Sequence, residues 1–325
     1  MSYDLHALRR AEFPWADRGD AIYLNHASTG PLPACAAAAV GEWAARRTQP
    51  WRIADDALFA TLARTRALVA ALIGAEPGEI ACMPNTSYGL NLAARALPLG
   101  PGDVVVTFDG EFPANVYPWM ALADRGVRLE LVPLGPDGLP DEPALLAALE
   151  RPEVRACTVS WVQFATGYAC DLAAIGARCR ALGKWFVVDA IQGLGPRTLD
   201  VRACHADLLA CGAQKWLLGP WGSGFLYVRR ELVQQLRPTA VGWLAVRGAD
   251  SFARLTDYDP TLRDDARRFE VLTLPFHDFA GMNASLELIH ALGPAGVAAH
   301  VATLADQVVA WAAGRDDVAL VTPAD

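Results

Sequence analysis

Apolar positions along this chain follow two different rhythms. From Glu79 to Asp189 short apolar runs alternate with segments of helical period. The runs are Glu79–Met83, Val104–Phe108, Val127–Val132, Ala156–Trp161 and Trp185–Asp189. Between them Ser87–Leu97, Ala114–Arg125, Glu142–Leu149 and Asp171–Leu182 read as helices. Strand and helix in strict alternation predict βαβ units and a mostly parallel sheet between helices, an α/β fold. Upstream, Ala21–Leu24 reads as a short strand, and helices are expected over 34–47 and 55–73, the latter with apolar residues at Leu58, Leu62, Leu68, Val69 and Leu72. Past Leu236-Arg237-Pro238 the alternation stops: 241–268 is irregular, and helices follow over 279–290 and 296–313. The expected organisation is an irregular N-terminal arm (1–20), a large domain (21–238) and a smaller, incomplete α+β domain (239–325).

The stretch Ala203–Arg230 reads as strand, loop, strand, with Lys215 just beyond the carboxyl end of the first strand. Open α/β sheets bind ligands at that end. Of the 28 basic residues only two are lysine, Lys184 and Lys215. Lys184 reads as a solvated strand cap. Lys215, set between Gln214 and Trp216-Leu217-Leu218, is either a stem lying on apolar surface with its head in water or an amine of lowered pKa able to form a Schiff base.

Three other groups follow strands. Asn85-Thr86-Ser87 at a helix start combines free N–H groups, the helix dipole and two hydroxyls into an anion site, though the same residues make an ordinary N-cap. Asp189 closes the apolar run Phe186-Val187-Val188, and a carboxylate there calls for a cation or donor unless it merely caps the next turn. Phe112 stands in a strand-to-helix loop, where a ring stacks on a flat ligand or joins the core. His26, in the polar loop 25–33, either faces a pocket or packs at the surface. A Schiff-base lysine, an anion-binding helix start, a buried carboxylate and a stacking aromatic are what pyridoxal 5'-phosphate requires.

These residues carry a resemblance. The segments YLNHASTGPLP, NTSYGLN, EFPANVYPW, VVDAIQG, GAQKW and RFE, in this order from about Tyr23 onward, resemble the class V aminotransferase family of fold-type I pyridoxal-phosphate enzymes, which includes cysteine desulfurases and isopenicillin N epimerase-like proteins. The resemblance implies roles. Lys215 falls at the Schiff-base lysine, Asp189 at the partner of the ring nitrogen, and Gln192 at the residue bonding the ring hydroxyl. Phe112 falls at the ring-stacking position, and Thr86, Ser87 and Gln214 at phosphate contacts. Thr273 resembles a residue that reaches the phosphate of the partner subunit, which implies a homodimer, and His26 and Gln163 fall to the substrate side. Departures are Phe164, where desulfurases often have Asn, and Leu272, where glycine is usual. Family members commonly continue into a C-terminal region carrying a carboxylate-binding arginine and, in desulfurases, a mobile cysteine, whereas these residues end at Pro323-Ala324-Asp325.

Composition narrows the alternatives. A net charge of -8 argues against a nucleic-acid surface. No run is long enough for a membrane span, and no signal core opens the chain, so a cytoplasmic location is expected. The seven cysteines form no CxxC pair and read as small core residues of a reducing compartment, with no metal site among them. The expected function is pyridoxal-phosphate-dependent chemistry at Cα of an amino acid or amine, a small-molecule substrate, through Lys215, of transamination or a related type. The alternatives are desulfurase or selenocysteine lyase activity, a non-catalytic protein of the same fold, and a nucleotide-binding protein, for which a GxGxxG after the first strand is missing.

Overall fold

The structure, a computed structural model, describes residues 4–271 and 273–323. Its centre is a seven-stranded sheet: β1 (Ile80–Met83), β2 (Val104–Phe108), β3 (Arg128–Val132), β4 (Val154–Ser160), β5 (Trp185–Asp189), β6 (Leu208–Gly212) and β7 (Gly224–Val228), in the order β1-β7-β6-β5-β4-β2-β3. β7 runs antiparallel to both neighbours and every other neighbouring pair is parallel. β1 to β6 therefore share one direction, and their carboxyl ends lie along one edge.

Helices cover both faces, which is why β2, β5, β6 and β7 are apolar on both sides rather than alternating. The chain-order helices are α1 (Leu5–Glu12), α2 (Pro14–Arg18), α3 (Ala34–Arg47), α4 (Asp55–Ile73), α5 (Thr86–Ala96), α6 (Tyr117–Met120), α7 (Glu142–Ala148), α8 (Leu172–Ala181), α9 (Arg230–Val233), α10 (Phe276–Leu292) and α11 (Pro294–Ala313). Successive strand residues point to opposite faces. Ile80 and Cys82 therefore join a core layer with Leu62 and Ile73 of α4, Ile175 of α8 and Phe279 of α10. Ala81 and Met83 join a second layer with Leu90 and Ala93 of α5, Trp119 and Leu232.

Several expectations need correction. The N-terminal arm is helical rather than irregular, with Asp4 capping α1 through bonds from the His6 and Ala7 N–H groups. Ala21–Leu24 is not a strand: it pairs with nothing in the sheet, and Ile22 and Leu24 stand exposed. The helix expected over 114–125 breaks into a 3-10 turn (Pro113–Asn115), α6 and a second 3-10 turn (Ala121–Arg125), because prolines at 113 and 118 remove two backbone donors. Lys184 is not a solvated cap. It is buried, and its ammonium donates to the carbonyls of Arg151 (2.7 Å) and Val154, tying α7's exit to β4. Beyond Arg229 the described residues hold 3-10 turns, an isolated bridge between Val246 and Leu262, and the last three helices, of which α10 packs on α3 and α4. Among the described residues no single helix is long and apolar enough to cross a membrane.

Candidate active site

Lys215 leaves β6 in a turn that reverses the chain toward β7. Leu218 N–H closes it on the Lys215 carbonyl (3.2 Å), and Leu218 itself takes φ +54°, a conformation that costs about a kcal/mol or more for a residue with a side chain. The loop 25–33 lies directly on this turn. Gly30 N–H donates to the Gln214 carbonyl (2.9 Å), and a Cβ at position 30 would sit 1.9 Å from the Lys215 carbonyl oxygen, so only glycine fits. His26 stacks on Trp216 at 5.4 Å between ring centroids and leans on Tyr23 at 5.6 Å. Burial holds its imidazole below the ordinary pKa, favouring the neutral ring.

Asp189 ends β5, the strand beside β6, and only 2% of it is exposed. Its carboxylate receives the Ile191 N–H (3.0 Å). Burial pushes its pKa up to about 7; the Ile191 N–H opposes this, the Glu111 charge adds to it, and the Lys215 ammonium opposes it. Lys215 is half-buried and its amine is lowered by burial, with Asp189 and then Cys211 pulling the other way. The lysine and the aspartate, on the segments ending two adjacent strands, are thus electrostatically coupled, each disfavoured as a charge by burial and favoured by the other.

Other candidate groups stand on the segments that follow neighbouring strands at the same edge. The Lys215 ammonium lies 5.5 Å from the centroid of the Phe112 ring, which meets Phe164 edge-on at 5.2 Å. Asn85 caps α5 by accepting from Tyr88 N–H (2.8 Å), leaving the N–H groups of Thr86 and Ser87 without a partner among the described residues. The cap reading and the anion-site reading of 85–87 are therefore compatible. The Thr86 hydroxyl accepts from Gly212 N–H (2.8 Å), and a Cβ at position 212 would stand 2.4 Å from the Gln214 side-chain oxygen and 3.2 Å from that hydroxyl. A glycine in β6 thus lets Thr86 and Gln214 converge beside the helix start. Gln192 donates to the Ala27 carbonyl (2.9 Å) and accepts from the Trp216 indole (2.9 Å), which leaves one amide N–H for a ligand.

Two candidates are placed otherwise. Gln163 is buried, its amide donating to Glu111 (2.9 Å). Thr273 accepts from the Trp243 indole (3.2 Å) and lines a cavity of about 750 Å³ with Trp43, Arg47, Phe276 and His277, apart from Lys215 and Asp189. The Leu272 departure lies outside the described residues. One supporting residue went unread in the sequence: Glu111, buried beside Phe112, whose signal was its place three residues past β2 in EFP.

A family model described as aminotransferase class-V matches residues 22–325. The chain belongs to that family. This class-V chain is 30% identical over 305 residues to a "Probable cysteine desulfurase" of Methanothermobacter thermautotrophicus, covering 92% of the chain and 74% of that protein. It spans 63% and 56% of the lengths of two further curated relatives. Its fold superposes on the cysteine desulfurase of Thermococcus onnurineus NA1 with a TM-score of 0.80 at 25% identity, covering 95% of this chain and 76% of that one. A variant of C-DES with glycine covalently linked to its PLP cofactor is similar at a TM-score of 0.79 and 26% identity, covering 87% and 74%.

Proposed function

We propose that this class-V chain is a pyridoxal-phosphate-dependent enzyme acting at Cα of an amino acid or amine. The observation that carries the reading is the Lys215–Asp189 pair: a half-buried amine whose charge burial disfavours, coupled to a 2%-exposed carboxylate that meets no other cation among the described residues. The residues present fit the cofactor. Asp189 would take a protonated ring nitrogen, Phe112 the ring face, Gln192's remaining N–H the ring hydroxyl, and Thr86, Ser87 and Gln214 the phosphate at the start of α5. When bound, pyridoxal phosphate supplies an electron-withdrawing ring that stabilises negative charge at Cα.

The chain's own part is to bind, orient and move a proton. Burial lowers the Lys215 pKa, which moves the amine toward the neutral form that both a nucleophile and a proton acceptor require. Asp189, as an anion, would keep the ring nitrogen protonated. The Phe112 ring lies 5.5 Å from the amine, and Phe164 meets that ring edge-on.

Amine-donor substrates and homodimer assembly belong to this proposal, and so does a second reading, the sulfur chemistry named for the relatives. One observation weighs against a protein cysteine as sulfur acceptor within these residues. Six of the seven cysteines are buried, and Cys35, the most accessible, has its thiol pushed up to about 11 by burial and Glu12.

The test uses the chain's scarcity of lysine. Borohydride reduction of the protein with pyridoxal phosphate should leave the label on the Lys215 peptide and none on Lys184, and Lys215→Ala should lose both the label and the visible absorption. A label on Lys184, or an unchanged spectrum in Lys215→Ala, refutes the reading. Incubation with an amino-acid panel then separates ketoacid, sulfide and racemised products.

A further inference from the structure

Glu111 is a carboxylate that the proposed chemistry does not use, yet it is 6% exposed and lies one residue from Phe112. It accepts from Ser160 N–H (2.6 Å), from the Ser160 hydroxyl and from the Gln163 amide (2.9 Å), all belonging to the end of β4 and the loop after it. Burial raises its pKa, and the Ser160 and Gln163 bonds oppose that rise. Outside this cluster, displaced by one residue on each loop, Phe112 meets Phe164 edge-on, with Lys215 under the Phe112 ring. The two loops are thus joined twice, by a buried polar contact between 111 and 163 and by an aromatic contact between 112 and 164.

Only the inner contact is strong enough to fix the outer one. Phe112 and Phe164 are 42% and 47% exposed, and an aromatic pair so open to water is worth about 1 kcal/mol. Three hydrogen bonds to one buried carboxylate hold far more firmly, because breaking any of them leaves a buried group unsatisfied.

We propose that Glu111 is a positioning residue that pins the β2–α6 loop to the loop after β4 and so holds the Phe112 ring over Lys215. This rests on the reading of Lys215 as the reactive amine. It gives Gln163 a role other than substrate binding: its amide is the second half of the pin. The pin works by geometry rather than charge. Asp189 and Cys211 are the ionisable groups acting directly on Lys215; the Glu111 charge acts on Asp189 and not on Lys215 itself.

The prediction can be read in the apo protein from the amine itself. Trinitrobenzenesulfonate labels neutral amines, and with two lysines the pH profile of labelling at each is resolved by peptide mass. In Glu111→Ala the loosened Phe112 admits water to Lys215, and its labelling midpoint should rise by about 0.5–1 pH unit toward the ordinary lysine value. Lys184, held by two carbonyls, should not change, which separates a local effect from general loosening. Glu111→Gln keeps an acceptor for Ser160 N–H and Gln163 and a donor for the Ser160 hydroxyl, so it should stay near wild type. Gln163→Leu, which removes one bond while Glu111 remains, should shift the Lys215 midpoint in the same direction and by less.

A Glu111→Gln profile shifted as far as Glu111→Ala would overturn the pin in favour of charge, and unshifted Glu111→Ala and Gln163→Leu profiles would overturn it outright. If Glu111→Ala does not fold, Gln163→Leu decides. Failure of the cofactor reading shows separately, as absence of the borohydride label in wild type, and leaves the labelling profiles to judge the pin.

Discussion

Two carboxylates of this chain are equally hidden from water and differently treated. Glu270 and Asp189 are each 2% exposed. Glu270 lies under α4, where Arg66 grips it through Nε and a terminal nitrogen at 2.7–3.1 Å and the Cys82 N–H of β1 adds a fourth bond at 2.9 Å. Asp189, at the ligand edge of the same sheet, receives the Ile191 N–H and is coupled to a half-buried amine whose own charge is disfavoured. Burying a charge is expensive unless it is paired and hydrogen-bonded. Glu270 is compensated within the fold and needs nothing further; it locks the RFE segment to α4 and β1. Asp189 is left under-compensated, which is what a binding group looks like before its cationic partner arrives.

Breaking the compensated pair should have the largest effect. Arg66→Ala strands the Glu270 carboxylate in the core and should lower stability by about 3–5 kcal/mol, measured by chemical denaturation. If the loss is under about 1 kcal/mol, Glu270 relaxes to solvent and the contrast with Asp189 fails.

The reverse sign is expected at Asp189. Its pKa is raised from the ordinary carboxylate value of 3.8 to about 7 in the folded chain. The folded state therefore holds a proton more tightly than the unfolded one, a stabilising contribution complete below pH about 4 and lost as the pH rises through about 7. Asp189→Asn removes that loss. The apo variant should match wild type below about pH 4 and exceed it above about pH 7, by up to about 4 kcal/mol at roughly 1.36 kcal/mol per pKa unit. The same substitution should weaken pyridoxal phosphate binding at least about tenfold, gaining stability where it loses function. Denaturation of both apo proteins across about pH 4–8 measures the first, and a visible-absorption titration the second. A wild-type curve parallel to that of Asp189→Asn would show that the carboxylate is not stressed.

The contrast also explains what could be read from the sequence. The place of Lys215, Asp189, Thr86 and Phe112 along the carboxyl edge was legible because each falls at, or three to four residues after, the end of an apolar strand, and the βαβ rhythm puts such ends on one edge. Glu111 was not, because its partners Ser160 and Gln163 lie some 50 residues away and no local pattern records that pairing. Lys184 misled for the same reason: the carbonyls that receive its ammonium belong to a segment about 30 residues upstream. Ala21–Leu24 has the apolar content of a strand, but a strand needs an edge to pair with, and composition does not supply one. The split of 114–125 was visible in Pro113 and Pro118 and was outweighed by the apolar content around them.

The smallest effect sharpens the comparison most cheaply. Arg64 lies two residues before Arg66 on α4 and pairs with Glu287 of α10 at 2.8 Å, against 2.7 Å for Arg66 and Glu270. The two pairs differ in exposure: the side chains of Arg64 and Glu287 are 55% and 48% accessible, those of Arg66 and Glu270 10% and 2%. In water an ion pair replaces hydration that both partners regain when it breaks, and salt screens what remains. Arg64→Ala should therefore change stability by about 0.5 kcal/mol or less at low salt and by nothing measurable at about 1 M salt, while the Arg66→Ala loss persists at both. If the two variants lose equal stability with equal salt dependence, distance rather than burial sets the value of these pairs. In that case the hidden, singly bonded Asp189 would carry no special strain for a ligand to relieve.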